Sequence, residues 1–292
     1  PEIEDATDAP DHVAAPCTEP PPDEEGFVSG TEVTEIAPQV AAVTFREQLP
    51  NVPLEAMTRY LKRDDTGDAE LLARLYHKRL LYDHREEAWH LWAGHRWEPD
   101  GTELVRNLIS QQVAWQYIHA EQVAFENGSE ELAKALGKRG RSLRYSRSKT
   151  TTLREARSLP SLATKGDEWN ENPWLLGVEN GVIDLRTGEL RAGRPEDRIR
   201  TVAPTPWASI TAPAPRWEAF LDEIFVGDER MIGFLQRLLG YGITGLAIEH
   251  HFPVLWGEGR NGKDTLLEAL KLTLGPLANP VDEKVVAAAR RS

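Results

Sequence analysis

Apolar positions in this chain recur at two spacings, and the alternation between them divides it into elements. Residues 52–61 carry apolar side chains at helical intervals and predict a short helix. A second follows over Ala69-Glu70-Leu71-Leu72-Ala73-Arg74-Leu75-Tyr76. The acidic run before it, Asp64-Asp65-Thr66-Gly67-Asp68, lacks the spacing and distal Glu of a calcium loop and reads as a turn plus helix N-cap. The period then shortens to two. Leu81-Tyr82-Asp83, Ala88-Trp89-His90-Leu91-Trp92 and His95-Arg96-Trp97 surround the turn at Ala93-Gly94 and predict a β-hairpin. Helical spacing returns over 104–127 and stops at Asn127-Gly128. Short strands are predicted at 175–178, 182–185 and 189–191, separated by turns at Asn180-Gly181 and Thr187-Gly188. Residues 201–215 are Pro-rich and extended, and helices follow at 217–225 and 228–241. Last come an apolar run at 251–256, expected to be a strand, a glycine-rich loop, and a helix over 265–274.

Composition changes this picture mainly at the start. Residues 1–50 hold 12 acidic side chains and one basic one, with many prolines, whereas the rest of the chain holds 33 basic and 35 acidic groups. The net charge of −13 therefore reflects an acidic Pro-rich tail, expected to be disordered, as a linker or a solvated terminus. A near-neutral body leaves a nucleic-acid partner open. No apolar run is long enough to span a membrane, which excludes a membrane partner in this reading. Cys17 is the lone cysteine, so no internal disulfide forms, and the scattered histidines give no zinc spacing.

Three segments carry candidate chemistry. Gly257-Glu258-Gly259-Arg260-Asn261-Gly262-Lys263-Asp264-Thr265 has the G-x-x-x-x-G-K pattern between an apolar run and a helix. In such a loop backbone N–H groups hold phosphate oxygens, and the helix behind directs its positive end at them. These nine residues are the candidate nucleotide site, with Lys263 as the catalytic charge for the outer phosphates. The basic segment 134–157 carries nine Lys or Arg against Glu155 alone. Lys138, Arg139, Arg141, Arg144, Arg147 and Lys149 are the candidate phosphate contacts to DNA, in preference to a merely solvated helix face. Trp89, Trp92 and Trp97 suit core packing better than base stacking, and Asp184 suits bracing the Thr187-Gly188 turn better than catalysis.

Several signatures now stand in one order: Asp65-Thr66-Gly67-Asp68-Ala69, the Trp-rich hairpin ending at Arg96-Trp97, Asn180-Gly181-Val182-Ile183-Asp184-Leu185-Arg186-Thr187-Gly188-Glu189, Leu235-Gln236-Arg237-Leu238-Leu239-Gly240-Tyr241, Thr244-Gly245, and the loop at 257–263. Over roughly residues 60–290 the chain resembles phage and plasmid DNA primase/helicases of the P4 and D5 type, which carry a superfamily 3 helicase. The resemblance implies a mixed α+β N-terminal domain of helices and small antiparallel hairpins over 51–205, a Pro-rich linker over 206–215, and the start of a P-loop α/β NTPase domain over 216–292. It implies ATP and Mg²⁺ as cofactors, single-stranded DNA as partner, self-association into a ring, commonly a hexamer, and action in the cytoplasm of a bacterial host. In that family the Mg²⁺-holding carboxylate and the γ-phosphate sensor lie beyond the P-loop helix, and the arginine finger reaches in from the next subunit. Asp282 and Glu283 lack the preceding apolar strand such a carboxylate needs, so little ATP hydrolysis is expected from these 292 residues alone.

One departure from the pattern is chemical. Asp264 stands where Ser or Thr normally follows the loop lysine, and Thr265, one position on, is turned about 100° around the helix. Asp264 is thus the candidate Mg²⁺ ligand, and nucleotide affinity should depend steeply on Mg²⁺. Two alternatives stay open: a non-catalytic DNA-binding or loading module with a vestigial nucleotide site, and a P-loop kinase or other NTPase.

Overall fold

A computed structural model describes residues 49–246, 248–249, 253–257, 259 and 261–281. The acidic tail, Cys17, His251, Phe252, Glu258, Arg260, Asp282 and Glu283 lie outside the described residues. The elements are α1 (Leu54–Leu61), α2 (Asp64–Leu75), β1 (Leu80–Asp83), β2 (Ala88–Trp92), β3 (Trp97–Pro99), α3 (Leu104–Leu108), α4 (Ala114–Glu126), α5 (Glu130–Ser142), α6 (Ser146–Ala156), β4 (Ala163–Thr164), β5 (Leu175–Val178), β6 (Gly181–Asp184), β7 (Glu189–Arg191), β8 (Val202–Ala203), α7 (Pro215–Phe225), α8 (Glu229–Ile243) and α9 (Lys263–Leu274). A π-turn at Ile109–Val113 joins α3 to α4. No described helix is long and apolar enough to cross a membrane.

Two four-stranded sheets share one topology. In the first, β1, β2 and β3 form an antiparallel meander and β4 pairs parallel to β1; in the second, β5, β6 and β7 form the meander and β8 pairs parallel to β5. The sequence shows no repeat that announces this likeness, because each sheet packs different neighbours. Leu80 and Leu91, opposite each other, face the main core with α1 to α6, where Leu71, Leu72, Leu108, Ile109, Tyr117 and Leu136 are fully buried. Leu81 and Trp92 point the other way and pack with Trp97 and Trp169. Trp92 and Trp97 are thus core residues, and Trp89 packs against the helical core.

Close approaches between helices use glycine. At Gly67 an added Cβ would overlap the Tyr60 carbonyl oxygen, so α2 crosses α1 where no side chain fits. At Gly140 a Cβ would lie 3.0 Å from the Ala114 carbonyl oxygen, which seats α5 against α4. The acidic run differs from its expected role. It forms the first turns of α2 itself; the N-cap is Arg63, without a side-chain cap. The reason lies elsewhere in the chain: Asp65 and Asp68 turn to Arg139 of α5, and acids in a first helical turn also suit the helix dipole.

Asp184 braces its turn as expected. Its Oδ1 accepts from the Arg186 amide at 3.0 Å, its carbonyl accepts from the Gly188 amide at 2.8 Å, and the Arg186 guanidinium closes the loop. The segment after β8 is held as well: the Asn180 side chain accepts from the Trp207 amide and donates to its carbonyl, both at 2.9 Å. Beyond it, α7, α8 and α9 share a small core of Leu221, Leu235 and Leu266. The strand expected before the glycine-rich loop is absent over its described part, 253–256. A strand needs a neighbour for its N–H and C=O groups, and no described segment pairs with it.

Candidate nucleotide and nucleic-acid sites

The glycine-rich loop ends on Gly262, which takes a left-handed conformation (φ 80°) as the N-cap of α9 and so lets the chain turn sharply into the helix. The Lys263 ammonium donates to the Gly257 carbonyl at 3.0 Å and to Asn261 Oδ1 at 2.7 Å. A Cβ at Gly257 would overlap the Asn261 amide and lie 3.5 Å from the Lys263 ammonium. The described part of the loop is therefore folded back on itself around a positive charge at a helix N-terminus. Asp264 and Thr265 are exposed in the first turn of α9, and Asp264 has no hydrogen bond or ion pair among the described residues. Gly259 has open space around its Cα. Glu258 and Arg260 fall among the residues not described.

The six basic candidates sit on α5, α6 and the turn between them, and they separate by environment. Arg139 is turned inward. It donates from Nε to Asp68 at 3.0 Å and from Nη2 to Asp65 at 2.6 Å, and Asp68 is fully buried. Burial works against its charge, but the hydrogen bonds and attraction of Asp68, then Asp65, outweigh it and raise the guanidinium pKa. Arg141 pairs with Glu121 at 3.1 Å. Lys138, Arg144 and Arg147 are exposed and Lys149 half-buried, and none has an acidic partner among the described residues. Arg106 of α3 reaches the same surface, donating to Ser146 Oγ at 2.7 Å and Thr150 Oγ1 at 3.1 Å. Tyr145 stands exposed between Arg144 and Arg147. Nothing in the spacing of Arg106 announced it, since it lies 40 residues before Ser146.

A third constellation lies on the Trp-bearing face of the first sheet. Asp83 ends β1 and His90 sits in β2; because Leu81 opposes His90 and Asp83 opposes Ala88, both project from the same face. Glu86, from the connecting turn, brings its carboxylate to the same place, and the three offer ligand atoms within 4.8 Å of one another. Asp83 Oδ1 accepts from the amides of Arg85 (2.8 Å) and Glu86 (3.0 Å), and Oδ2 accepts from the Trp169 indole at 2.6 Å. Burial tends to raise the Asp83 pKa, but the Trp169 hydrogen bond and these amides bring it below its ordinary value. Burial, and then the Arg200 charge, hold His90 below its usual range as a neutral imidazole. Arg200 grips Glu86 through both guanidinium nitrogens, at 2.7 and 3.0 Å, and lies over the Trp169 ring at 5.3 Å. Histidine spacing alone did not suggest this group. The hairpin register is the signal that reveals it.

Residues 69–226 match the family model described as D5 N terminal like. The match takes in both sheets and α7, and stops short of the glycine-rich loop. The chain is also 31% identical over 218 residues to the Putative helicase L207/L206 of Acanthamoeba polyphaga mimivirus. That alignment covers 70% of this chain and 23% of the relative, so the chain spans less than a quarter of the relative's length.

Proposed function

This chain belongs to the D5 N-terminal-like family, and from that premise we propose that it is part of an ATP-dependent DNA helicase, of the primase-helicase type, that replicates a phage, plasmid or other mobile element. The relative named as a helicase supports the reading at the level of the protein. What carries it at the level of the site is the loop before α9, with the Lys263 ammonium held against Gly257 and Asn261. ATP with Mg²⁺ would supply the phosphoryl-transfer energy for movement along a strand. Residues 257–265 would hold the triphosphate, with Lys263 exchanging its loop acceptors for outer phosphate oxygens and the free carboxylate of Asp264 facing the ion. The lack of room for a Cβ at Gly257 fits a loop that must bring its backbone close to a ligand. Lys138, Arg144, Arg147 and Lys149 would contact the phosphates of single-stranded DNA without reading sequence. Assembly into a ring belongs to the same proposal.

The test pairs two titrations. A fluorescent ATP analogue should bind wild-type protein in Mg²⁺ at least about tenfold more tightly than Lys263→Ala, and lose affinity when Mg²⁺ is chelated. Equal affinity in wild type and Lys263→Ala would refute a nucleotide site at the loop. In a salt series with a single-stranded oligonucleotide, each of Arg144→Ala and Arg147→Ala should lower the log–log slope by about 0.7. An unchanged slope in both would remove the phosphate-contact reading. A second reading, a DNA-binding module with a vestigial nucleotide site, is favoured by Asp264 in place of the usual hydroxyl. It predicts the DNA result without the nucleotide result.

A further inference from the structure

We infer that Asp83, Glu86 and His90 form a binding site for a divalent transition-metal ion, in which the ion takes over the place of the Arg200 guanidinium as the cation bridging the two carboxylates. The inference is independent of the loop at 257–265 and of the helicase reading.

Three observations carry it. The first is His90. Its side chain is fully buried, and neither ring nitrogen has a hydrogen-bond partner among the described residues, apart from an approach to the Ala88 backbone that falls short of hydrogen-bond geometry. A buried polar group without a partner is costly and calls for a ligand or water that satisfies it. Its Nε2 lies 3.6 Å from Glu86 Oε2, a separation that suits two ligands of one ion better than a hydrogen bond.

The second is that the site already holds a cation. Arg200 Nη1 lies 2.7 Å from Glu86 Oε1 and 3.8 Å from Asp83 Oδ2, between the two carboxylates. The pocket is thus built to neutralise positive charge. The guanidinium makes no hydrogen bond to either ring nitrogen of His90, whereas a metal ion would take the lone pair of one of them. The third is access and rigidity. Glu86 is 44% exposed, which opens a path from solvent, whereas Asp83 is locked by two backbone amides and Trp169. One imidazole with two carboxylates favours Zn²⁺, Co²⁺, Ni²⁺ or Mn²⁺ over Mg²⁺ and Ca²⁺, which prefer oxygen alone. The ion's cost is the loss of the Arg200–Glu86 pair, so affinity should be set by competition between two cations.

That competition supplies the test. Zn²⁺ and Co²⁺ are titrated by calorimetry into the full chain and into single variants whose folding is checked by circular dichroism. One ion should bind per chain. Glu86→Gln and His90→Gln should each weaken binding at least about tenfold, and Arg200→Gln should tighten it by removing the competitor. Glu86 is at the surface, so Glu86→Gln keeps the test valid if the buried His90 variant fails to fold. Binding indifferent to Glu86→Gln, or binding weakened by Arg200→Gln, would overturn the site.

Discussion

Arg139 and Arg144 are five residues apart in the same basic run, and their chemistry is opposite. Arg144 projects into solvent without an acidic partner, whereas Arg139 turns under α2 to Asp65 and Asp68. A charge count sums the two alike, since burial is invisible in composition. Removing the inward one leaves the fully buried Asp68 carboxylate without its counter-charge. Arg139→Ala should therefore destabilise the fold by about 3–5 kcal/mol, measured by urea denaturation, while Arg144→Ala changes stability by less than about 0.5 kcal/mol. Comparable losses in both would show that the Asp68 pair is not what holds α5 to α2. Asp184 and Trp97 are the opposite case: both are structural as the sequence predicts, because the Asp184 turn is closed within four residues and the large apolar ring of Trp97 favours burial whatever its neighbours, here Trp92 and Trp169.

Among elements, helices were legible wherever apolar residues kept one face, and α1, α4, α7 and α8 all lie where the spacing puts them. The helix α2 starts earlier than its apolar face, because its acidic first turns gain partners from α5. The glycine at its crossing with α1 also looks like a turn residue in sequence but serves a contact. Gly67→Ala places a methyl group against the Tyr60 carbonyl oxygen, a backbone atom with no freedom to swing aside. That substitution should cost roughly 3 kcal/mol, at the upper end of overpacking effects, whereas an open exposed glycine such as Gly101, with nothing near its Cα, should accept Ala almost freely. Denaturation midpoints of the two variants decide this; a mild effect at Gly67 would mean that the two helices separate easily.

For the whole molecule the contrast is between the two ends of the described chain. The main core buries more than a dozen side chains from α1 to α6, whereas α7, α8 and α9 bury only Leu221, Leu235 and Leu266 and leave Met231, Phe234, Leu267 and Leu272 exposed. A groove of 910 Å³ runs between α8 and α9, lined by Leu238, Leu239, Leu270 and Leu274. Few buried contacts mean a small opening free energy. Amide exchange in α9 should thus be roughly a hundredfold or more faster than in α4, a difference of about 2.7 kcal/mol. Equal protection by mass spectrometry would show that the α9 region is stabilised by contacts as strong as those of the main core.

Periodicity, turn residues and the ordered signatures determined from sequence alone that this is a mixed α+β chain of the D5 N-terminal-like family, since these depend on neighbours a few positions apart. Only the tertiary structure decided which charges face water, why Gly67 and Gly140 are glycines, and that Asp83, Glu86 and His90 converge. Those outcomes depend on pairings such as β1 with β2 and α2 with α5. A side chain's charge or lone pair acquires its role from what long-range packing sets within a few ångströms of it.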